Sequence, residues 1–328
     1  MNVTTMDIAR ICGVSRGTVD RALNNKGRIN PNTKEKILRV AEELGYKPDL
    51  LARSLSTGHT MSLGVIVFDI RNRYFAQLVN AMETEARKSG FFINISLQEK
   101  DPETEINLIN NLVSRRVDGL IMCPVNKGQK YNDFITSLPV PVVTVGNKLT
   151  DGIPYVGVDE YSAAANAVRH IVNKGYQEIV FVCPPLHDHE NENIYVHEER
   201  YRGFKDTLRS YPDIKSHIIR RWDYLHRVHD IVQNTHHRIA LFCSGDTYAL
   251  EIMKSFRLKG IQIPEQVGLM GFDNIDTLQY ITPELTTIDV PLREIGEAAV
   301  QLLISMISDG SSDGQKIIPT RIIEGKTL

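Results

Sequence analysis

Three stretches of this chain hold residues whose types and spacing could do chemistry. Gly13-Val14-Ser15-Arg16-Gly17 matches G-x-S-x-G, the turn that presents a nucleophilic serine in hydrolases. That chemistry needs a strand before the serine and an Asp/His pair behind it. Here an amphipathic helical stretch precedes Ser15, so acyl transfer is set aside. His187, His189, Glu190 and His197 crowd one segment, PPLHDHENENIYVHEER, and could ligate a metal. Their spacing fixes no coordination geometry, so the segment reads as a solvated polar loop and no metal is expected. No G-x-x-x-x-G-K-[ST] or H-E-x-x-H occurs, and no cofactor is expected. The third stretch, TTMDIARICGVSRGTVDRALN (4–24), has the spacing of a helix-turn-helix. Ala9 lets a second helix cross close to the first, Gly13 can take a positive φ in the turn, and Val19 plugs the angle between them. That pattern builds a second helix to lie in a DNA major groove.

Local signals position this motif. Thr4 and Asp7 form a capping-box-like start, Ser15 is a good N-cap, and Asn30-Pro31 opens a third helix. Ile37, Val40, Ala41 and Leu44 recur at helical spacing and are expected to close a three-helix core with Ile8, Val19 and Leu23. Gly45 is the expected stop. Pro48 breaks the chain, 50–55 could form a short helix, and Ser56, Thr57, Gly58 and Thr60 read as a flexible joint. From residue 62 short apolar runs alternate with helix-length segments: 63–68, 92–97, 119–123, 140–145, 178–183, 239–243 and 267–271. Such alternation implies βαβ units and parallel sheets, and a break near 158–162 implies two lobes.

Composition agrees. The 328 residues exceed one small core, and 42% hydrophobic with 24% charged residues is ordinary for a globular protein. No segment approaches the ~18 apolar residues of a membrane span. MNVTTMDIAR lacks the basic and apolar regions of a secretory signal, so a cytoplasmic location is expected. Cys12, Cys123, Cys183 and Cys243 show no CxxC pairing and are expected to be buried, reduced thiols. Residues 1–60 carry ten Lys/Arg and six Asp/Glu, a net +4 in a chain of net −2. A basic head on an acidic body fits a head that binds nucleic acid.

The sequence resembles the lactose-repressor/galactose-repressor family of bacterial transcription regulators. The likeness spans nearly the whole chain. It is carried by TxxDIAxxxGVSxxTVxRxLN and PxTxxKIxxxAxELGYxPxxxARxL in the head. VDGLIMCP, VPVVTV, VGVDEYSAA, RYRGF, GFDN and PELTTIDVPLREIGEAA carry it in the body. The resemblance implies a small all-α helix-turn-helix DNA-binding head (1–47) and a hinge helix and linker (48–60). It also implies an α/β two-lobed, periplasmic-binding-protein-like body of parallel sheets flanked by helices (61–328). The first lobe would hold about 61–160 plus 291–320, the second about 161–290. It further implies a homodimer that binds double-stranded palindromic operator DNA and answers to a small-molecule, carbohydrate-like effector. Repression by the free or the liganded form both stay open, as does a non-sugar effector. A transporter's solute-binding protein and an α/β enzyme are rival classes, and the head argues against both.

By similarity, Arg16, Gly17 and Arg21 take the recognition positions. Arginine suits bidentate contact with guanine O6/N7; Gly17 offers no side chain to a base. Asp20 could pair with Arg16 or Arg21, accept from a cytosine, or repel phosphate. Thr4, Ser15, Thr18, Asn24 and Arg28 are expected backbone contacts, and Ala52 and Leu55 are expected at the minor groove, Leu55 as a wedge. The effector cleft is expected to use Asn72, Tyr74, Phe75, Asn147, Tyr195, Arg200, Trp222, Asp246 and Asp273. Gly146-Asn147 stands where sugar binders often carry Asp-Arg, and Gly245 where many carry Asn. The cleft is therefore expected to take something other than a simple pentose. The helical stretch 76–86 and the segment after Pro291 are candidate dimer elements.

Overall fold

A computed structural model describes residues 3–25, 27–46, 58–185, 192–310 and 314–328. The expected hinge helix, with Ala52 and Leu55, falls mostly on 47–57, outside the described residues, as do His187, His189 and Glu190. The chain divides into two compact units, Met1–Thr60 and Met61–Leu328.

Among its described residues the first unit holds three helices, α1 (Thr5–Cys12), α2 (Arg16–Leu23) and α3 (Pro31–Glu43). The start of α1 is a full capping box. Asp7 N donates to Thr4 Oγ1 at 3.3 Å, and Thr4 N donates to Asp7 Oδ2 at 3.0 Å. Aspartate thus does the work usually given to Glu or Gln. Gly13 ends α1 in the left-handed region, φ +70°, with open space around a built Cβ; the turn needs its conformation, not its size. Ser15 Oγ accepts from Thr18 N at 3.2 Å and starts α2. Ile8, Val19 and Ile37 are fully buried among Ala9, Cys12, Ala22, Val40 and Ala41. Leu23 packs at the edge of this core, but Leu44 stays exposed. It caps the C-terminus of α3, past the turn whose side chains face α1 and α2.

The second unit contains two six-stranded sheets. The first uses β1 (Ser62–Val67), β2 (Phe92–Leu97), β3 (Gly119–Met122), β4 (Val142–Val145), β5 (Tyr155–Gly157) and β11 (Gln315–Ile317). Its order is β11-β5-β4-β3-β1-β2, all parallel. The second uses β6 (Glu178–Cys183), β7 (Lys215–Arg220), β8 (Ile239–Cys243), β9 (Val267–Asp273), β10 (Thr286–Asp289) and β12 (Arg321–Ile323), in the order β12-β10-β9-β8-β6-β7. Only the β10–β12 pair is antiparallel. The chain passes between sheets three times, after β5, after β10 and after β11. β3, β4, β6 and β8 are buried along their whole length, as expected of strands covered on both faces. β5, β10, β11 and β12, of three or four residues, and β7, whose sequence KSHIIR is mostly polar, lie outside the apolar runs read from the sequence.

Helices α4 (Arg73–Lys88), α5 (Pro102–Ser114), α6 (Gln129–Thr136), α7 (Glu160–Asn173), α8 (Tyr195–Leu208), α9 (Tyr224–Asn234), α10 (Asp246–Lys259) and α11 (Leu292–Asp309) connect the strands. α4 and α11, the two candidate dimer elements, pack on each other. A Cβ at Gly296 of α11 would stand 2.7 Å from Ala81 Cβ of α4. α7 and α8 approach as closely: a Cβ at Gly203 would stand 2.3 Å from the Tyr161 carbonyl oxygen. All four cysteines are free and buried. Gly203→Ala must push α8 from α7, so it is expected to lower stability by about 1–3 kcal/mol. Urea denaturation measures this, and an unchanged midpoint would refute the tight approach.

Candidate functional site

In the first unit, α2 turns Val19 and Ala22 into the core and leaves Arg16, Gly17, Asp20 and Arg21 exposed. Arg21 Nε donates back to Gly17 O at 3.2 Å. Asp20 pairs with neither arginine: its Oδ1 accepts from Asn24 Nδ2 at 3.0 Å. Thr4, Ser15 and Asn24 all use their side chains within the head, the first two as helix caps. Thr18 faces Ser15, with the two hydroxyls 2.9 Å apart. Arg28 is exposed on the loop before α3. A Cβ at Gly17 would meet only Ser15 Oγ, 3.9 Å away, so the fold does not require glycine there.

In the second unit, the C-terminal ends of the parallel strands converge on a cavity of about 250 Å³. Parallel α/β sheets bind ligands at these ends. Asn72 follows β1, Cys123 and Val125 follow β3, and Gly146 and Asn147 follow β4. Ser244 and Gly245 follow β8, and Asp273 ends β9. Aromatic rings of Phe68, Tyr74, Phe75, Trp222 and Tyr248 also line it.

Arg200, on α8, is the buried charge of the cavity. Nε donates to Glu160 Oε2 at 2.7 Å, Nη1 donates to Ser244 O at 2.5 Å, and Nη2 lies 3.3 Å from Asp273 Oδ1. The guanidinium lies 3.5 Å from the Phe272 ring centroid. Desolvation opposes its charge, but Glu160 and Asp273 outweigh that and raise its pKa. Behind it, Asp246 accepts from Thr287 Oγ1 at 2.6 Å and from Ile275 N at 3.0 Å. Burial pushes the Asp246 carboxyl up to about 7. Burial, with Asp246 and Glu160 nearby, pushes Asp273 well above the usual carboxylate range. Burial also pushes His197 down to about 3, with Arg200 and Lys100 adding to the effect.

One side of the cavity is stitched by asparagines. Asn147 Nδ2 donates to Pro124 O at 3.0 Å and to Asn193 O at 2.6 Å. Its Oδ1 accepts from Val196 N at 3.3 Å. Asn193 N donates to Val125 O at 2.6 Å, and its Nδ2 donates to Lys148 O at 3.0 Å. The segment before α8 is thereby bound to loops of the first sheet. At another point between the sheets, Arg73 pairs with Asp276, with Nε to Oδ1 at 2.9 Å, and Asp276 N donates to Gln77 Oε1 at 2.9 Å.

Known proteins match this arrangement. Residues 4–49 match the model of bacterial regulatory proteins of the lacI family, and 168–328 match a periplasmic binding protein-like domain. Catabolite control protein A of Priestia megaterium is 30% identical over 330 residues, covering 98% of each chain. The chain belongs to the lacI family of bacterial regulatory proteins. A lac repressor dimer, solved bound to operator and the anti-inducer ONPF, shares the fold at TM-score 0.86 and 22% identity, over 100% of this chain and 99% of that one. A periplasmic binding protein/LacI transcriptional regulator from Alkaliphilus metalliredigens, complexed with D-xylulofuranose, matches at TM-score 0.70 and 26% identity. That match covers 81% of this chain and 98% of the other. Family membership makes this a DNA-binding transcription regulator rather than an enzyme.

For a regulator of this family, the cavity gathers Asn72, Tyr74, Phe75, Asn147, Arg200, Trp222 and Asp273 from the residues expected there. Two expected residues fall elsewhere. Tyr195 opens α8 but does not line the cavity; its ring meets Tyr155, 6.3 Å between centroids. Val196, His197 and Arg200 face inward instead, as helical spacing from Arg200 dictates. Asp246 is fully buried one layer behind the lining, tied to Thr287 and Ile275. Asn72 and Asn147 line the cavity with amides that already serve the protein, Asn72 as the N-cap of α4. Sequence reading missed Glu160, Ser244 and Tyr248. Glu160 sits in a motif used only for the family likeness, and its pairing with Arg200 spans forty residues. Among the described residues no His/Cys/Asp/Glu group could hold a metal.

Asn147→Ala leaves the Pro124 and Asn193 carbonyls without their donor and is expected to cost about 1–3 kcal/mol. Chemical denaturation with an unchanged midpoint would overturn the stitching role. Asp246 gives a pH test with a defined sign. Its folded value, about 7, exceeds the ~3.9 of an unfolded aspartate, so the folded state binds more protons between them. Its contribution to stability therefore falls as pH rises through that window, by about 1 kcal/mol per pH unit. Relative to Asp246→Asn, the unaltered protein is expected to lose stability from pH 5 to 7. Parallel profiles would refute the assignment.

Proposed function

We propose that this protein is a cytoplasmic repressor that binds a palindromic operator as a homodimer and is controlled by a small carbohydrate-like effector in the cavity between its two sheets. The observation that carries this reading is one chain holding two parts: a capped helix-turn-helix that exposes Arg16 and Arg21, and a cavity built around a buried arginine at parallel strand ends. Arg16 and Arg21 read guanines. Arg21 must leave its bond to Gly17 O to do so. Thr4, Ser15, Thr18, Asn24 and Arg28 set the head on phosphates, partly through helix N-terminal amides. Residues 48–60 act as the hinge, with Ala52 and Leu55 at the minor groove.

The lac repressor was solved as a dimer on operator, which supports the same assembly here. Edge strand β2 adds support, because it leaves Phe92 exposed on one face and Ile95 and Leu97 on the other, apolar surface that a second subunit could cover. The complex with D-xylulofuranose supports a carbohydrate-like effector. Control is linkage: the ligand favours one arrangement of the two lobes, and a dimer converts that arrangement into the spacing of two heads over half-sites one turn apart.

Selection of sites from a random duplex library by the purified protein tests the reading. A palindromic site is the expected product, and Arg16→Ala or Arg21→Ala should weaken it by about 1–3 kcal/mol while relaxing one base position. No enriched sequence, with and without cell extract, would sink the operator reading.

A further inference from the structure

The cavity holds more acid than base. Among the described residues, Asp69, Glu192 and Asp273 line it, and Glu160 and Asp246 stand directly behind. Against these five carboxyl groups there are two cations, Arg200 and Lys100. Lys100 is exposed, with its ammonium 5.6 Å from the Phe68 ring centroid. Arg200 is engaged at close range by Glu160, so its charge is neutralised before any ligand enters.

Three buried atoms of the lining lack a hydrogen bond: Asp273 Oδ1, Ser244 Oγ and His197 Nδ1. Asp273 is 9% exposed, and its Oδ1 is held by Arg200 Nη2 alone, an ion pair at 3.3 Å too poorly aligned for a full hydrogen bond. Ser244, 1% exposed, leaves Oγ without a partner, and this hydroxyl can donate as well as accept, so it suits a ligand hydroxyl. Both residues line the cavity. A buried acceptor without a donor costs free energy that an arriving donor recovers. The rings of Tyr74, Phe75, Trp222 and Tyr248 complete the wall, and aromatic faces attract organic cations. An anionic ligand would meet Asp273, Glu160 and Asp246 with no free cation at that depth.

We propose that the effector is a small polyhydroxylated molecule bearing a protonated amine, with the ammonium bound at Asp273, and that Asp273 selects it over its neutral and anionic counterparts. This rests on the reading of the cavity as the regulator's ligand site. The groups facing Asp273 are Arg200, Glu160, Asp246, Tyr74 and Tyr248. Burial and the neighbouring carboxyls raise Asp273 and Asp246 above the usual carboxylate range in the empty cavity. An ammonium beside Asp273 opposes that rise, so binding shifts its equilibrium towards the carboxylate and releases protons to the buffer. A neutral polyol supplies no such charge.

The test uses the full-length protein and matched hexose triplets: glucosamine, 3-amino-3-deoxyglucose and 6-amino-6-deoxyglucose, with glucose as parent and gluconate and glucuronate as acids. Thermal shift ranks them, and titration calorimetry in two buffers of different ionisation enthalpy counts protons. The expected result is at least one amine bound ten-fold or more tighter than glucose and the acids, with net proton release. Asp273→Asn should abolish the release and cut the amine-to-parent preference at least ten-fold, while its unliganded melting confirms a folded chain. Tighter binding of glucose or an acid, an unchanged preference in Asp273→Asn, or no amine binding would overturn the proposal. Site selection needs no ligand, so an enriched operator beside failed amine binding would sink the ligand class alone. Amine binding without an operator would sink only the DNA reading.

Discussion

The body of this regulator depends on one buried guanidinium. Arg200 cannot stay charged away from water unless partners surround it, and removing any one would leave another charge uncompensated. Meeting that demand fixes the start of α7 through Glu160, the end of β8 through the Ser244 carbonyl, and the end of β9 through Asp273. Phe272 covers one face of the same group. These are the elements that must converge for a cavity to exist at the strand ends. The close approach of α7 and α8 at Gly203 brings Glu160 and Arg200 within reach, so helix packing and electrostatics specify the same geometry.

Around this centre, side chains that a ligand could have used are engaged by the protein. The amide of Asn147 bonds loops on both sides of the cavity, and the oxygen of Asn72 caps a helix. Where sugar binders often carry an arginine, this chain carries a structural amide. The lining atoms left without a full hydrogen bond are Asp273 Oδ1, Ser244 Oγ and His197 Nδ1, beside the aromatic wall. The family-level expectation of a carbohydrate-like ligand is narrowed by the local chemistry of acceptors and charge.

The head follows a different logic. Its folding rests on contacts of short range: two capping hydroxyls, a left-handed glycine and a core of eight small or medium residues. The exposed face of α2 is left over from that core. Its arginines are therefore free of structural duty, except for the bond from Arg21 to Gly17 O.

The amino-acid sequence by itself determined whatever depends on neighbours within a few residues. The three head helices and their caps, seven of the twelve described strands and the alternation that implies parallel sheets were all legible, because capping and periodicity are local rules. Most of the cavity lining was legible too, since it follows strand ends. Only the tertiary structure decided what those side chains do. Tyr195 and Asp246 looked like lining, yet one packs on Tyr155 and the other supports the layer behind. Glu160 gave no sign of its role, because its partner lies forty residues away on another helix. Asn147 looked free, and its amide is fully engaged. Hydrogen-bond capacity and net charge in a buried site are sums over distant residues, and no window of sequence contains them.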